Sequence, residues 1–129
     1  MKSLLLYLWQ LPQNILGLLV ILITRTRHIE NYWVTTKYRF GVCLGNYIIF
    51  GMNNYFDCPL ELHHEQGHQI QSKRLGWLYL IIIGIPSAIF NFYDRYFHKK
   101  WMYWERVEWY YNLPWEKWAD KLGGVKRFL

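Results

Sequence analysis

Apolar positions gather in two long blocks, residues 4–24 and Leu75 to Phe92, with shorter-period patterns between and after them. A stretch of about 20 residues is just enough to cross a hydrocarbon core as a helix. The middle of the first block resists that role, because Gln10, Pro12, Gln13 and Asn14 would lie near the bilayer midplane. Proline removes a helix hydrogen bond, and lone amides in lipid are costly. Two readings fit: a kinked spanning helix, adopted here, or two short helices lying in the interface. Lys2 resembles the n-region of a signal peptide, but Ile23-Thr24-Arg25-Thr26-Arg27 is a poor cleavage site, so the segment is expected to be retained.

Residues 31–51 favour strands: Tyr32-Trp33-Val34-Thr35-Thr36, then Val42 to Phe50, punctuated by Gly41, Gly45 and Gly51-Met52-Asn53-Asn54. They predict a small β-hairpin or meander. Asp57-Cys58-Pro59 joins an N-cap acceptor to a first-turn proline and predicts a helix over 58–74, ending close to Gly76. The second apolar block carries no formal charge and, taken alone, reads as a transmembrane helix. Gly84-Ile85-Pro86-Ser87 breaks it at the centre. Tyr93 to Tyr111 mixes aromatic and charged residues at helical spacing and reads as an interfacial helix. Asn112-Leu113-Pro114 opens a last helix over 112–122, which Gly123-Gly124 stops. The fold class expected is α+β, mainly helical, in one domain over 1–129.

Composition sharpens this toward a membrane. The chain is 53% hydrophobic and 20% aromatic, and its 8 Trp and 11 Tyr are the side chains that favour membrane–water interfaces. The formal charge of +6, scattered around the apolar blocks, suits an anionic lipid surface. No helix-turn-helix, zinc-finger or RNP-like pattern appears, so no nucleic-acid partner is expected. Arg25, Arg27, Lys37, Arg39, Lys73 and Arg74 follow the first segment, against Lys2 before it. By the positive-inside rule the later part then faces the cytoplasm. Cys43 and Cys58 match no CxxC spacing.

The chemistry is concentrated at His64-Glu65-Gln66-Gly67-His68, an H-E-x-x-H pattern. On a helix, positions i and i+4 share a face, so both imidazoles can address one Zn²⁺. Glu65 beside them can act as general base toward a water on that ion. The longer form H-E-x-x-H-x-x-G-x-x-H is excluded by Gln71 and Arg74. A His₂Glu set needs a carboxylate from elsewhere, and Glu116-Lys117-Trp118-Ala119-Asp120 supplies one. If Glu116 is the ligand, Asp120 one turn on can accept the N–H of a ligating histidine and fix its tautomer. Glu105 and Glu108 are ranked below Glu116, because neither has an acid four residues on. His63 is rotated about 100° from His64 and is not expected to be a ligand.

His64-Glu65-x-x-His68 followed by Glu116-x-x-Ala119-Asp120 resembles the gluzincin metallopeptidases, most closely the CAAX-protease-like branch and the very small minigluzincins. The run from His64 to Leu80, Gly84-x-Pro86-Ser87, the Trp9 to Asn14 start and the Trp118 to Val125 ending also resemble a group of short bacterial membrane proteins. The resemblance implies that His64, His68 and Glu116 bind zinc, that Glu65 is the base and that Asp120 supports a histidine. It also implies a substrate-pairing strand edge beside the active-site helix, expected at Tyr47, Ile48, Ile49 and Phe50.

Sharing one ion between His64 and Glu116 contradicts a single crossing by the second apolar block, which would put them on opposite faces of the bilayer. The expectation is therefore a re-entrant apolar hairpin over 75–97, turning near Gly84–Ser87. The expected function is a zinc-dependent endopeptidase in the bacterial cytoplasmic membrane, integral or monotopic, with its active site facing the cytoplasm. Its partners would be the lipid bilayer and peptide or protein substrates, membrane-tethered ones included. Tyr110, Tyr111 and His98 are candidates to stabilise the oxyanion. The alternatives are a zinc-stapled small membrane protein without hydrolytic activity, or one without metal.

Overall fold

The computed structural model describes residues 2–29, 32–35, 41–51 and 59–127. Helices α1 (Lys2–Trp9) and α2 (Leu11–Thr24) meet at Gln10 with an 87° bend, Pro12 sitting harmlessly in the first turn of α2. The bend turns the awkward polar residues inward, so that Gln10, Gln13 and Asn14 are completely buried. Gln13 Nε2 donates to Ser72 Oγ at 2.9 Å and to the Gly76 carbonyl at 2.8 Å. Ser72 Oγ donates to Gln10 Oε1 at 2.6 Å. Asn14 Nδ2 donates to the Tyr7 carbonyl, and its Oδ1 accepts the Asn46 N–H at 2.7 Å. Leucines and isoleucines such as Leu5, Ile15, Leu19, Leu22 and Ile23 face outward. The kinked segment expected over 4–24 is two helices of 8 and 14 residues, each shorter than the roughly 30 Å of a hydrocarbon core, which together pass the length and composition of a span as a bent pair. No single helix among the described residues is long and apolar enough to cross a membrane.

The sheet is larger than a hairpin and is mixed. Its strands β1 (Arg27–Ile29), β2 (Tyr32–Thr35), β3 (Gly41–Leu44) and β4 (Tyr47–Gly51) lie in the order β1-β2-β4-β3. β1/β2 and β3/β4 are antiparallel, while β2 and β4 run parallel with Trp33 opposite Ile49. Tyr47 to Phe50 therefore lie on an interior strand, not an edge. The pattern carries the reason: Ile48, Ile49 and Phe50 are apolar in succession and all buried, as a strand covered on both faces requires. The edge that packs against the next helix is β3. The connections at 36–40 and 52–58, including the Met52-Asn53-Asn54 turn and the Asp57-Cys58 cap, lie outside the described residues.

Helix α3 (Pro59–Leu75) passes into a 3₁₀ turn at Gly76–Leu78 and a π-helical stretch at Leu80–Gly84, then into α4 (Ile85–Phe97). The axis turns by 118° between the segments on either side of Tyr79. Gly76 makes this turn: its φ is +57°, and a Cβ there would sit 2.2 Å from the Trp9 ring. The turn expected at Gly84–Ser87 is corrected accordingly. Pro86 falls in the first turn of α4, where its missing N–H is no loss. The preceding π-turn, in which the Ile85 N–H bonds to the Leu80 carbonyl, carries the chain through without reversal. Two further helices, α5 (Tyr103–Tyr111) and α6 (Pro114–Gly123), complete an α+β fold that is mainly helical. α6 packs on α3.

Candidate metal centre

His64 and His68, one turn apart on α3, are buried with ring centroids 4.7 Å apart. Two glycines let α6 reach them: Gly123 on α6, where a Cβ would lie 2.0 Å from the His63 carbonyl oxygen, and Gly67 on α3. A Cβ at that position would lie 1.8 Å from the Ala119 carbonyl oxygen, so the two backbones approach as closely as only glycine permits. Ala119, fully buried, is the matching small residue on α6. This contact sets Glu116, one turn earlier on α6, against both imidazoles. Glu116 Oε2 lies 2.9 Å from His64 Nε2 and 3.1 Å from His68 Nε2. Ligand atoms of His64, His68 and Glu116 all lie within 4.8 Å of one another.

The outer ring nitrogens are anchored. His64 Nδ1 is 2.7 Å from Asp120 Oδ1, and His68 Nδ1 is 2.7 Å from Gln71 Oε1. The Gln71 amide is oriented by its Nε2, which donates to the Trp115 carbonyl at 2.9 Å. Both anchors are acceptors, so each Nδ1 carries the hydrogen and each neutral imidazole turns the lone pair of Nε2 inward. Two lone pairs and a carboxylate oxygen then converge on one spot, an arrangement that repels itself unless a cation or protons lie between. The donor set is the N, N, O combination that zinc takes, and its atoms lie close enough together for one ion to reach all three. The residues fit a metal ion.

The remaining contacts stiffen the cluster. Glu116 Oε1 accepts hydrogen bonds from Ser87 Oγ and, at 3.2 Å, from Tyr110 OH. Asp120 is held by Arg127 through Nε at 2.8 Å and a terminal nitrogen at 3.2 Å. The same guanidinium lies 3.5 Å over the Tyr111 ring, whose edge meets His64. Protons take the place of a cation when none is bound. Burial alone would lower the His64 pKa, but the hydrogen bonds to Asp120 and Glu116 outweigh it and push the value up to about 10. His68 is raised by Glu116 against the same burial effect. Burial would raise the Glu116 pKa, but both histidines hold it well below the usual carboxylate range. Asp120 is lowered by His64 and Arg127.

Glu65 is buried beside the cluster, and its Oε1 faces the β3 edge, 3.7 Å from where a Cβ on Gly41 would stand. On that edge the Cys43 carbonyl accepts the Tyr79 hydroxyl at 3.2 Å. Glu105 caps α5 by accepting the Met102 N–H, and Glu108 is exposed, so neither belongs to the cluster. His63 is exposed and bonds Gln66. Among the oxyanion candidates, Tyr110 and Tyr111 touch the cluster, whereas His98 is engaged by Asp94 at 2.9 Å. Sequence reasoning passed over Gln71, Ser87 and Arg127. Gln71, three residues after His68 on the same helix face, was within its reach; Ser87 and Arg127 are joined to the site by tertiary packing alone. No protein-family model, curated protein or solved structure matches this chain.

Proposed function

We propose that the chain is a membrane-associated zinc-dependent metalloendopeptidase, with His64, His68 and Glu116 as the metal ligands and Glu65 as the general base. The observation that carries this reading is the convergence of His64 Nε2, His68 Nε2 and Glu116 Oε2, each ring locked from behind by an acceptor, with a buried carboxylate alongside. Zinc bound there supplies Lewis-acid chemistry, lowering the pKa of a water to about 7 and polarising a carbonyl. Glu65 takes a proton from the attacking water and delivers it to the departing amine, so its place between the histidines and β3 matters. An extended peptide pairing at the accessible Gly41–Val42 end of β3 would lay its backbone beside Glu65 Oε1, the Cys43 carbonyl farther along being taken by Tyr79. That edge takes over the substrate-pairing role expected of Tyr47 to Phe50. Tyr110, hydrogen-bonded to Glu116, offers a hydroxyl for the developing oxyanion, and Ser87 brings a second to the same carboxylate.

Placement at a membrane is supported by the surface. Leu5, Leu22, Ile23, Ile81, Ile89 and Phe92 are all more than half exposed, on helix pairs whose inward faces are polar. Such a surface suits a protein lying in one leaflet, with Lys73 and Arg74 exposed near its rim. A second reading, a metal staple without hydrolysis, draws on the backbone contact at Gly67, which the ion would lock. Glu65→Gln decides between them. The variant should retain stoichiometric zinc and lose cleavage of a peptide library incubated with the wild type. Retained cleavage, or loss of zinc from that variant, would overturn the base assignment.

A further inference from the structure

A groove of about 550 Å³ runs along α5 where the chain turns into α6. Its lining repeats every three to four residues, through Trp101, Trp104, Glu105, Glu108 and Trp109. At 100° per residue the α5 members of this row, Trp104, Glu105, Glu108 and Trp109, are centred opposite Tyr110, which reaches the metal cluster from the other side of the helix. The groove is thus separate from the catalytic site.

Its aromatic walls are held rigid by a network that the metal centre does not use. Asp94 accepts two bonds from Arg106, at 3.1 and 2.7 Å, and one from His98 Nδ1 at 2.9 Å. The His98 ring, fixed in this way, stacks on Trp101 at 3.7 Å and meets the edge of Trp109 at 4.6 Å. The charge of the groove is equally particular. Glu65, Glu116 and Asp120 serve the metal cluster and Asp94 serves this network. Among the described side chains the remaining acids are Glu105 and Glu108, and both line the groove of a chain whose formal charge is +6. Exposed Lys99 and Lys100 immediately precede Trp101, and Met102, Tyr103 and Trp104 project 61%, 78% and 58% exposed beside it.

Trp faces attract a cation, and flanking carboxylates neutralise it. We propose that the groove binds the headgroup of a zwitterionic phospholipid. Its ammonium lies against the tryptophans and Glu105 and Glu108, and its phosphate meets Lys100, since the Lys99 ammonium lies 5.2 Å over the Tyr96 ring. A purely anionic headgroup is repelled by the carboxylates, and a basic peptide by Lys100. A zwitterion satisfies both signs, and the exposed aromatic rim is suited to the depth at which such headgroups lie.

The inference rests on the membrane placement proposed above and not on the metal. Full-length protein in detergent micelles is equilibrated with equal amounts of phosphatidylethanolamine and phosphatidylglycerol of the same acyl chains, and retained lipid is read by native mass spectrometry. The wild type should retain phosphatidylethanolamine over phosphatidylglycerol by about five-fold, the scale of one partly desolvated cation–π contact with a counter-charge. Glu105→Gln/Glu108→Gln, which keeps a capping side chain at 105, should bring that ratio close to one with zinc content unchanged. Trp104→Ala, at an exposed position, should lower it independently if the double variant folds poorly. Equal retention by the wild type, an undiminished preference in both variants, or displacement of the lipid by a lysine-rich peptide would each overturn the proposal. Retention of both lipids without preference would remove the groove's role while leaving the membrane placement standing; retention of neither would count against both.

Discussion

Replacing Gly67 with alanine perturbs the proposed metal centre without touching His64, His68 or Glu116, and the outcome can be worked out from the packing. The added methyl would stand 1.8 Å from the Ala119 oxygen, 2.6 Å from its carbonyl carbon and 3.1 Å from its Cα. All three are backbone atoms of α6, so no side chain can rotate aside. Restoring ordinary contact requires the helices to part by about 1.5 Å at this level. Zinc ligand distances tolerate only about 0.2 Å, so Glu116 cannot stay in register with both imidazoles. Overpacking of this kind costs about 1–3 kcal/mol of stability. Zinc affinity should fall by at least about ten-fold, equivalent to about 1.4 kcal/mol. Chelator competition and thermal unfolding with and without EDTA, in the same micelles, measure both. Gly84→Ala is the control, because its added methyl comes closest to a side-chain terminus, Leu80 Cδ2 at 3.2 Å, and reaches backbone only at 3.8 Å, an ordinary contact. If Gly67→Ala bound zinc as tightly as the wild type and melted at the same temperature, the backbone contact would not be what positions Glu116.

Asp120→Asn replaces the carboxylate behind His64 and should weaken zinc by about 10- to 100-fold, read by the same competition. In metal-free protein the His64 pKa is raised to about 10 from an unfolded value of about 6.5. Its contribution to stability is therefore complete below about pH 6.5 and lost as pH rises through about 10, so denaturant midpoints of EDTA-treated protein should decline across that window. A flat profile there would refute the assigned cause. Gln13→Leu removes the bridge from α2 to Ser72 and Gly76 and should destabilise by about 1–3 kcal/mol, measured as a shift in thermal midpoint.

The cluster of His64, His68 and Glu116 could be read from the chain because helical spacing alone fixes which side chains share a face. His64 and His68 need only one helix, and Glu116 with Asp120 another; what brings the two helices together was written in the same motif, as Gly67 and Ala119, but carries no periodic signal. The sheet was legible as strands and not as an order, since nothing local makes β4 pair parallel to β2; the unbroken Ile48-Ile49-Phe50 run was the one hint of its interior place. Pro86 drew the expected turn to the wrong site because proline normally breaks helices, whereas here a π-turn ahead of it absorbs the defect and Gly76 does the bending. The amides at Gln10, Gln13 and Asn14 were misplaced because hydropathy averages over a segment and cannot say which way a bend will face them.

That inward set of amides has a consequence for how the polypeptide finds its shape. With leucine outside and glutamine inside, squeezing out water gives the N-terminal helices little instruction about where to dock; directional bonds to Ser72, Gly76 and Asn46 do the choosing. In plain buffer, the greasy exterior would drive molecules together before those bonds could select a partner. Refolding yield should therefore depend on the amphiphile supplied more than on the temperature or time allowed.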